Sequence, residues 1–268
     1  GARKVYSDYQ RMLEDPEISI TGVARRIEMD PSITARILQM ANSSFYGFSR
    51  RIRTVEQGII VLGLRELRHI LYLFNMRSAF DMVKLSNFDS ELLWKHSLIV
   101  GLIARHLAMR FKQRRIIEDA FLAGLMHDIG KVAFISLHPD RYENVITRVT
   151  SGKMTFAQAE HEEFGLSHDR AARFLVTKWN LPTFLEGALR YHHAAEDTTD
   201  ARQLSRIIRA ADALSYMSNY ATLVGYPALP PEDKAFEILG IKPEEMGPTL
   251  DEVNKLIGES TDLLNVDH

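Results

Sequence analysis

The chain is predicted to be all-α, on three observations. Apolar residues recur at helical spacing from end to end, alternating polar–apolar runs of any length are missing, and capping residues punctuate the apolar runs at helix-length intervals. No internal repeat or low-complexity tract interrupts this pattern.

The first third reads as short helices, beginning with Val5–Leu13 and Ile20–Ile27. Asp30-Pro31 is a start signal for the next, with Asp30 as N-cap and Pro31 in the first turn, where a missing N–H costs nothing. Ile33, Ile37, Leu38 and Ala41 form its expected buried stripe. A polar, aromatic connection follows over Asn42–Arg53. Thr54-Val-Glu-Gln57 reads as a capping box ahead of Val55, Ile59 and Leu62, Gly63 ends that helix, and Leu64–Phe74 begins another.

A long apolar helix is expected over Glu91–Phe111 and a second over Ile117–Leu137, stopped by His138-Pro139. Further helices are expected near Arg141–Ser151, Thr155–Glu163, Ser167–Trp179, Pro182–His192 and Ala201–Tyr220. Gly225-Tyr-Pro227 and Pro230-Pro231 mark a loop, followed by helices near Asp233–Leu239 and Leu250–Leu264. These boundaries divide the chain into a main unit, residues 1–220, and a helical C-terminal extension, 221–268. Within the main unit, 5–90 is an N-terminal helical part and 91–220 a helical core.

Composition narrows the chemistry. The absence of cysteine removes disulfides, thiolate zinc sites and cysteine nucleophiles together, and fits a cytoplasmic setting. A transition-metal site would have to draw on the ten histidines and on carboxylates, ligands that suit zinc, iron, manganese or nickel. A formal net charge of −2 lacks the basic surplus that grips a nucleic-acid backbone, so DNA is not an expected partner. No run reaches the roughly 18 consecutive apolar residues of a membrane span, and no membrane partner is expected. Gly1–Tyr6 is neither a signal nor a transit peptide, and a start at Gly1 is expected of an internal cut with upstream sequence missing.

The chemistry concentrates in Ala120–Phe134, where His127 and Asp128 stand side by side in an apolar segment and Lys131 follows one turn later. Burying an imidazole and a carboxylate without partners costs on the order of 2–7 kcal/mol per polar group, and more for the charge. A divalent cation is the natural compensation. At i, i+4, Lys131 would share the face of His127 and could meet a phosphate.

This run resembles the His-Asp motif of the HD superfamily of metal-dependent phosphohydrolases. Further residues match in order: His96 in Trp-Lys-His-Ser, His168 in Gly-Leu-Ser-His-Asp, the pair His192-His193, and Asp212 in Ala-Ala-Asp-Ala-Leu. Asp30–Gly47, Thr54–Leu64 and Trp179–Pro182 with Tyr191–His193 resemble the signatures of the HDOD group within that superfamily. The resemblance covers roughly Val5–Tyr220 and implies an HD-type helical bundle with an N-terminal helical subdomain.

It also implies a divalent, binuclear metal set. Asp128 would bridge, with His96, His127 and Asp212 around one ion and His168, His192 and His193 around the other. In an active member, activated water would attack a phosphoester, with Asp128 and Lys131 as catalytic residues. HDOD domains have usually lost much of this set and act as bacterial signalling outputs, whereas every two-metal position is kept here. The expected partners are therefore signalling proteins or a phosphorylated small molecule. Two departures bear on substrate. The Gly-Tyr-Pro segment that follows the paired histidines in cyclic di-GMP hydrolases is missing, and Leu92 stands where three-metal members carry glutamate.

Other signals have plainer readings. His69, His106 and His138 are expected as satisfied core histidines, and His161, Glu162 and Glu163 compete with His168. Ile20–Leu38 mimics a helix-turn-helix reader, yet its second helix offers only Arg36 and Gln39 to bases, which suits packing better than a major groove. Arg50, Arg51 and Arg53 beside Phe45, Tyr46 and Phe48 form the most basic and aromatic cluster, either a solvated loop or a surface for a protein or nucleotide.

Overall fold

A computed structural model describes residues 8–260, except 10, 14, 16, 82, 86–87, 114–115, 153, 179–180, 194–202, 222–235 and 238. Among the described residues there is no strand, only an isolated bridge between Leu85 and Phe88. The all-α expectation holds. The chain divides into two compact units, Gly1–Ser78 with Ile257–His268, and Ala79–Leu256.

The first unit is built on α1 (Ile20–Glu28), α2 (Pro31–Ala41), α3 (Val55–Leu62) and the start of α4 (Leu64–Phe80). The first three starts each have a cap that consumes an orphan N–H. Ser19 accepts from Gly22, Asp30 from Ser32 and Ile33, and Thr54 from Gln57. Gln57 reaches back to the N–H of Arg53, one residue short of the expected capping box. The buried stripe of α2 is Ile33, Ile37, Met40 and Ala41, so Leu38, expected inside, is only half-buried. Arg36 lies over the ring of Phe74 at 5.7 Å, which turns the best base-reading candidate of the helix-turn-helix mimic inward.

The second unit holds α5 (Ser90–Arg110), α6 (Ile117–Met126), α7 (Ile129–Leu137), α8 (Pro139–Thr150), α9 (Phe156–Phe164), α10 (His168–Lys178), α11 (Phe184–Tyr191) and α12 (Gln203–Met217). A 3-10 turn, Pro243–Glu245, leads into α13 (Met246–Glu259), whose last residues belong to the first unit. Of the expected tail helices, Asp233–Leu239 falls largely outside the described residues, as does Gly225-Tyr-Pro227.

The sequence reading is corrected at three points. The helix expected over Ile117–Leu137 breaks at His127-Asp128, and the polar pair occupies the break. That segment is long and apolar enough to cross a membrane by length and composition, yet 83% of it is buried inside the protein. Of the three histidines expected in the core, only His69 is buried. His138 is exposed at a helix junction, and His106 is partly exposed, 3.3 Å from Glu252.

Two glycines let a pair of helices in this unit pack backbone to backbone. A Cβ on Gly124 would lie 2.8 Å from the Cα of Gly101 and from the carbonyl of Val100, and one on Gly101 would lie 2.9 Å from the carbonyl of Phe121. Helices α5 and α6 therefore cross in backbone contact, which brings His96 of one beside the end of the other. Gly124→Ala is expected to lower the free energy of unfolding by about 1–3 kcal/mol through overpacking against backbone. Urea denaturation checks this; an unchanged midpoint would show that the crossing is loose.

Candidate metal centre

Seven side chains predicted as ligands, His96, His127, Asp128, His168, His192, His193 and Asp212, are brought together inside the second unit. All but His193, which keeps exposed surface, are buried. Each arrives from a different local device. His96 projects from the middle of α5. His127 and His192 are the C-caps of α6 and α11, and both imidazoles turn back onto the carbonyl three residues earlier. There Nδ1 donates to Gly124 and to Leu189 respectively, at 2.7 Å in both cases. Free carbonyls at a helix end are natural acceptors for such a ring.

Asp128 is the N-cap of α7 but makes no cap bond. Its oxygens face the cluster, forgoing a stabilisation typically worth about 1 kcal/mol. His168 opens α10, pressed so closely on α7 that a Cβ on Gly130 would come within 2.2 Å of the carbonyl of His168. Asp212 lies on α12 among buried apolar neighbours.

Proton positions on the rings follow from their partners. A carbonyl can only accept, so Nδ1 carries the proton in His127, in His192 and in His96, whose Nδ1 donates to Tyr220 at 2.8 Å. In His168, Nδ1 donates to Glu160 Oε2 at 2.5 Å. In its neutral form each ring thus directs an Nε2 lone pair into the cluster. Donation of the second ring nitrogen to a carbonyl or carboxylate is what metal-ligating histidines almost always show.

The lone pairs converge at short range. His96 Nε2 lies 3.3 Å from His127 Nε2 and 3.2 Å from Asp212 Oδ1. His127 Nε2 lies 3.4 Å from Asp128 Oδ2 and 3.7 Å from Asp212 Oδ1, and His96 Nε2 lies 3.8 Å from Asp128 Oδ2. Ligand atoms held about 2.0–2.1 Å from a tetrahedral ion stand about 3.3 Å apart, so these separations match a coordination shell. On the far side, the other Asp128 oxygen, Oδ1, is 3.2 Å from His168 Nε2, which is 2.9 Å from His193 Nε2. The nearest ring nitrogens of His168, His192 and His193 all lie within 4.8 Å of one another. Asp128 therefore offers one oxygen to each group.

Unmet demand marks the same place. Asp128 Oδ1, Asp212 Oδ1 and His192 Nε2 are buried without a hydrogen-bond partner among the described residues. Asp128, Asp212 and Glu160 oppose the single ammonium of Lys131, leaving buried negative charge to be met by a cation or by protons. The pKa directions express this demand. Burial, the largest effect, disfavours the charged forms of His127 and His168, but Asp128 beside the first and Glu160 with Asp128 beside the second outweigh it. His127 is raised, and His168 is raised to about 9. Burial, together with the charge of His127 and His168, pushes His192 down to about 3. The residues fit a divalent cation. His/Asp groups able to hold one are present, and their donor set is borderline in softness.

Lys131 lies against the carboxylate of Asp128. The break at His127-Asp128 places Lys131 i+3 from Asp128, with Nζ 2.6 Å from Oδ2 and 4.4 Å from the centre of the Phe156 ring. It is buried, not a surface lysine with its head in water.

Glu160 is the residue that sequence reasoning missed. Fully buried on α9, it accepts from the backbone N–H of His168 at 2.8 Å, from its ring, and from Tyr142 Oη at 2.7 Å. The competitors proposed near it lie elsewhere: His161 and Glu162 are exposed, and Glu163 pairs with Arg141 and Arg148. The signal was present, since Glu160 stands i+4 from Phe156 on the apolar face of its helix.

Comparisons with known proteins agree with this architecture. The HDOD domain family model matches residues 2–195. The chain belongs to the HDOD family. An HDOD domain protein from Geobacter sulfurreducens is 27% identical, with a TM-score of 0.71 over 98% of this HDOD chain and 87% of that one. A candidate phosphohydrolase from Shewanella amazonensis shares the fold at a TM-score of 0.75 and 18% identity, over 98% and 93% of the respective chains. An uncharacterized protein from Treponema pallidum (strain Nichols) is 26% identical over 195 residues, 69% of the HDOD chain, which spans 36% of the length of that relative.

Glu160→Gln keeps the shape of the side chain but removes the charge that holds the His168 ring. A loss of metal affinity of about 10–100-fold is expected, as for other outer-shell partners, read by competition against a chromophoric chelator. Affinity within error of the parent would assign Glu160 to packing alone. Because His168 titrates near 9, cation binding at pH 7 displaces a proton, so apparent affinity should rise as pH approaches 9. Calorimetry in buffers of differing ionisation enthalpy reads that proton; release of none removes His168 from the ligand set.

Proposed function

We propose that this HDOD chain is a signal-transduction output domain whose helical core is organised around a binuclear divalent-metal centre. Asp128 would offer one oxygen to each ion. His96, His127 and Asp212 complete one site, and His168, His192 and His193 the other. The observation that carries this reading is the convergence of three Nε2 atoms, those of His96, His127 and His168, on the two oxygens of one buried carboxylate.

Burial of six of the seven ligands favours a centre whose occupancy fixes the packing of α5, α6, α7, α10, α11 and α12, and so the shape offered to a signalling partner. A second reading, a phosphohydrolase acting on a nucleotide or cyclic dinucleotide, is favoured by Lys131 on Asp128 and by the exposed edge at His193. It also accords with the candidate phosphohydrolase that shares the fold. A bound metal pair would supply Lewis acidity and activated water to such a phosphoester. The protein's own part would be positional. Glu160 holds the His168 ring, Gly124 and Leu189 hold those of His127 and His192, and Lys131 keeps a positive charge at the bridging carboxylate.

Elemental analysis after incubation with Fe(II), Mn(II), Ni(II) or Zn(II) should find about two ions per chain, falling below about one in Asp128→Ala. Stoichiometry near zero with all four metals would refute the metal reading. The loaded protein is expected to leave bis-p-nitrophenyl phosphate intact. Turnover that disappears in Asp128→Ala would establish the hydrolase instead.

A further inference from the structure

The first unit contains a cleft of about 950 Å3 that the metal centre does not use, between α2 and the connection that follows it. Its walls are held in place. Asn42 Nδ2 donates to the carbonyls of Leu38 at 2.7 Å and Ile52 at 2.9 Å, while its Oδ1 accepts from the N–H of Ile52 at 2.8 Å. The connection is thereby folded back onto the end of its own helix, with Ile52 buried as the anchor.

Arg51 and Arg53, both exposed, flank the buried Ile52, and all three line the cleft. Phe48 adds an aromatic ring, 39% exposed and stacked on Tyr46 with ring planes 2° apart. Leu38, the helix residue found unexpectedly half-buried, forms part of the apolar wall. On the floor, Ser43 is 6% exposed and its hydroxyl has no hydrogen-bond partner among the described residues. Among the described residues, no carboxylate lines the cleft.

From this we infer a second ligand site, for a nucleotide. The two guanidiniums suit phosphate oxygens, which they bind in bidentate fashion. An exposed aromatic face suits a base, since stacking on such a ring is worth about 1–3 kcal/mol. The buried serine hydroxyl lacks the partner that a ribose hydroxyl or a phosphate oxygen would supply. The volume lies at the upper end of the roughly 300–1,000 Å3 usual for small-molecule sites, and the positive lining stands out in a chain of net charge −2. The site does not depend on the metal reading.

The test titrates the full chain, stripped with EDTA, with ADP, GDP, adenosine, pyrophosphate and a single-stranded oligonucleotide by calorimetry. Saturable binding of at least one nucleoside diphosphate is expected, with adenosine weaker by about tenfold or more. The double variant Arg51→Ala/Arg53→Ala should weaken the nucleotide by at least about tenfold. Phe48→Ala should weaken it while leaving pyrophosphate within about twofold. Arg50→Ala, which removes one guanidinium outside the lining, should leave affinity within about twofold. Circular dichroism melts confirm that each variant folds. The proposal is overturned if neither diphosphate saturates the stripped protein, if Arg50→Ala costs as much as the double variant, or if only a single-stranded oligonucleotide binds.

Discussion

Buried negative charge is the constraint on which the core of the second unit depends. Asp128, Asp212 and Glu160 lie within a mostly apolar interior with one ammonium between them, surrounded by imidazoles whose protons point away. Ionised carboxylates are tolerated in such surroundings only when positive charge or proton donors meet them. Here the hydrogen bonds that would have satisfied the ring nitrogens are spent on backbone carbonyls and on Glu160, on the side away from Asp128. The arrangement is polarised toward a cation, and the unpaired atoms Asp128 Oδ1, Asp212 Oδ1 and His192 Nε2 mark where one is missed.

Placing those groups together requires backbone to approach backbone. Gly101 against Gly124 sets the distance between α5 and α6, and hence between His96 and His127, while Gly130 lets α7 touch the first turn of α10, and hence fixes His168 against Asp128. The glycine of the His-Asp-Ile-Gly-Lys run thus serves the site through contact, not through a special dihedral angle. The break between α6 and α7 serves the same end. A continuous helix would splay His127 and Asp128 by about 100°, whereas the turn aims both into one cluster and sends Lys131 to the carboxylate.

The two units present contrasting chemistries. The second encloses its titratable groups, so that changes in their charge act on packing. The first exposes a cationic, aromatic cleft on a connection stiffened by Asn42.

The sequence by itself determined the helical class, most caps, the family and the identity of the candidate ligands. These are local properties: periodicity, a Pro after an Asp, a histidine beside an aspartate in an apolar run. What it could not determine were relations set by packing. The break at His127-Asp128 was invisible because the apolar pattern runs through it unchanged. Glu160 was passed over because its neighbours in sequence are equally acidic, and only burial separates it from Glu162 and Glu163. His106 and His138 read like core residues because a single polar residue in an apolar stretch looks the same whichever way it faces. Ring protonation, the division of ligands between the two oxygens of Asp128, and the gathering of Arg51, Arg53 and Ser43 on one cleft depend on distances across the fold, which tertiary structure alone decides.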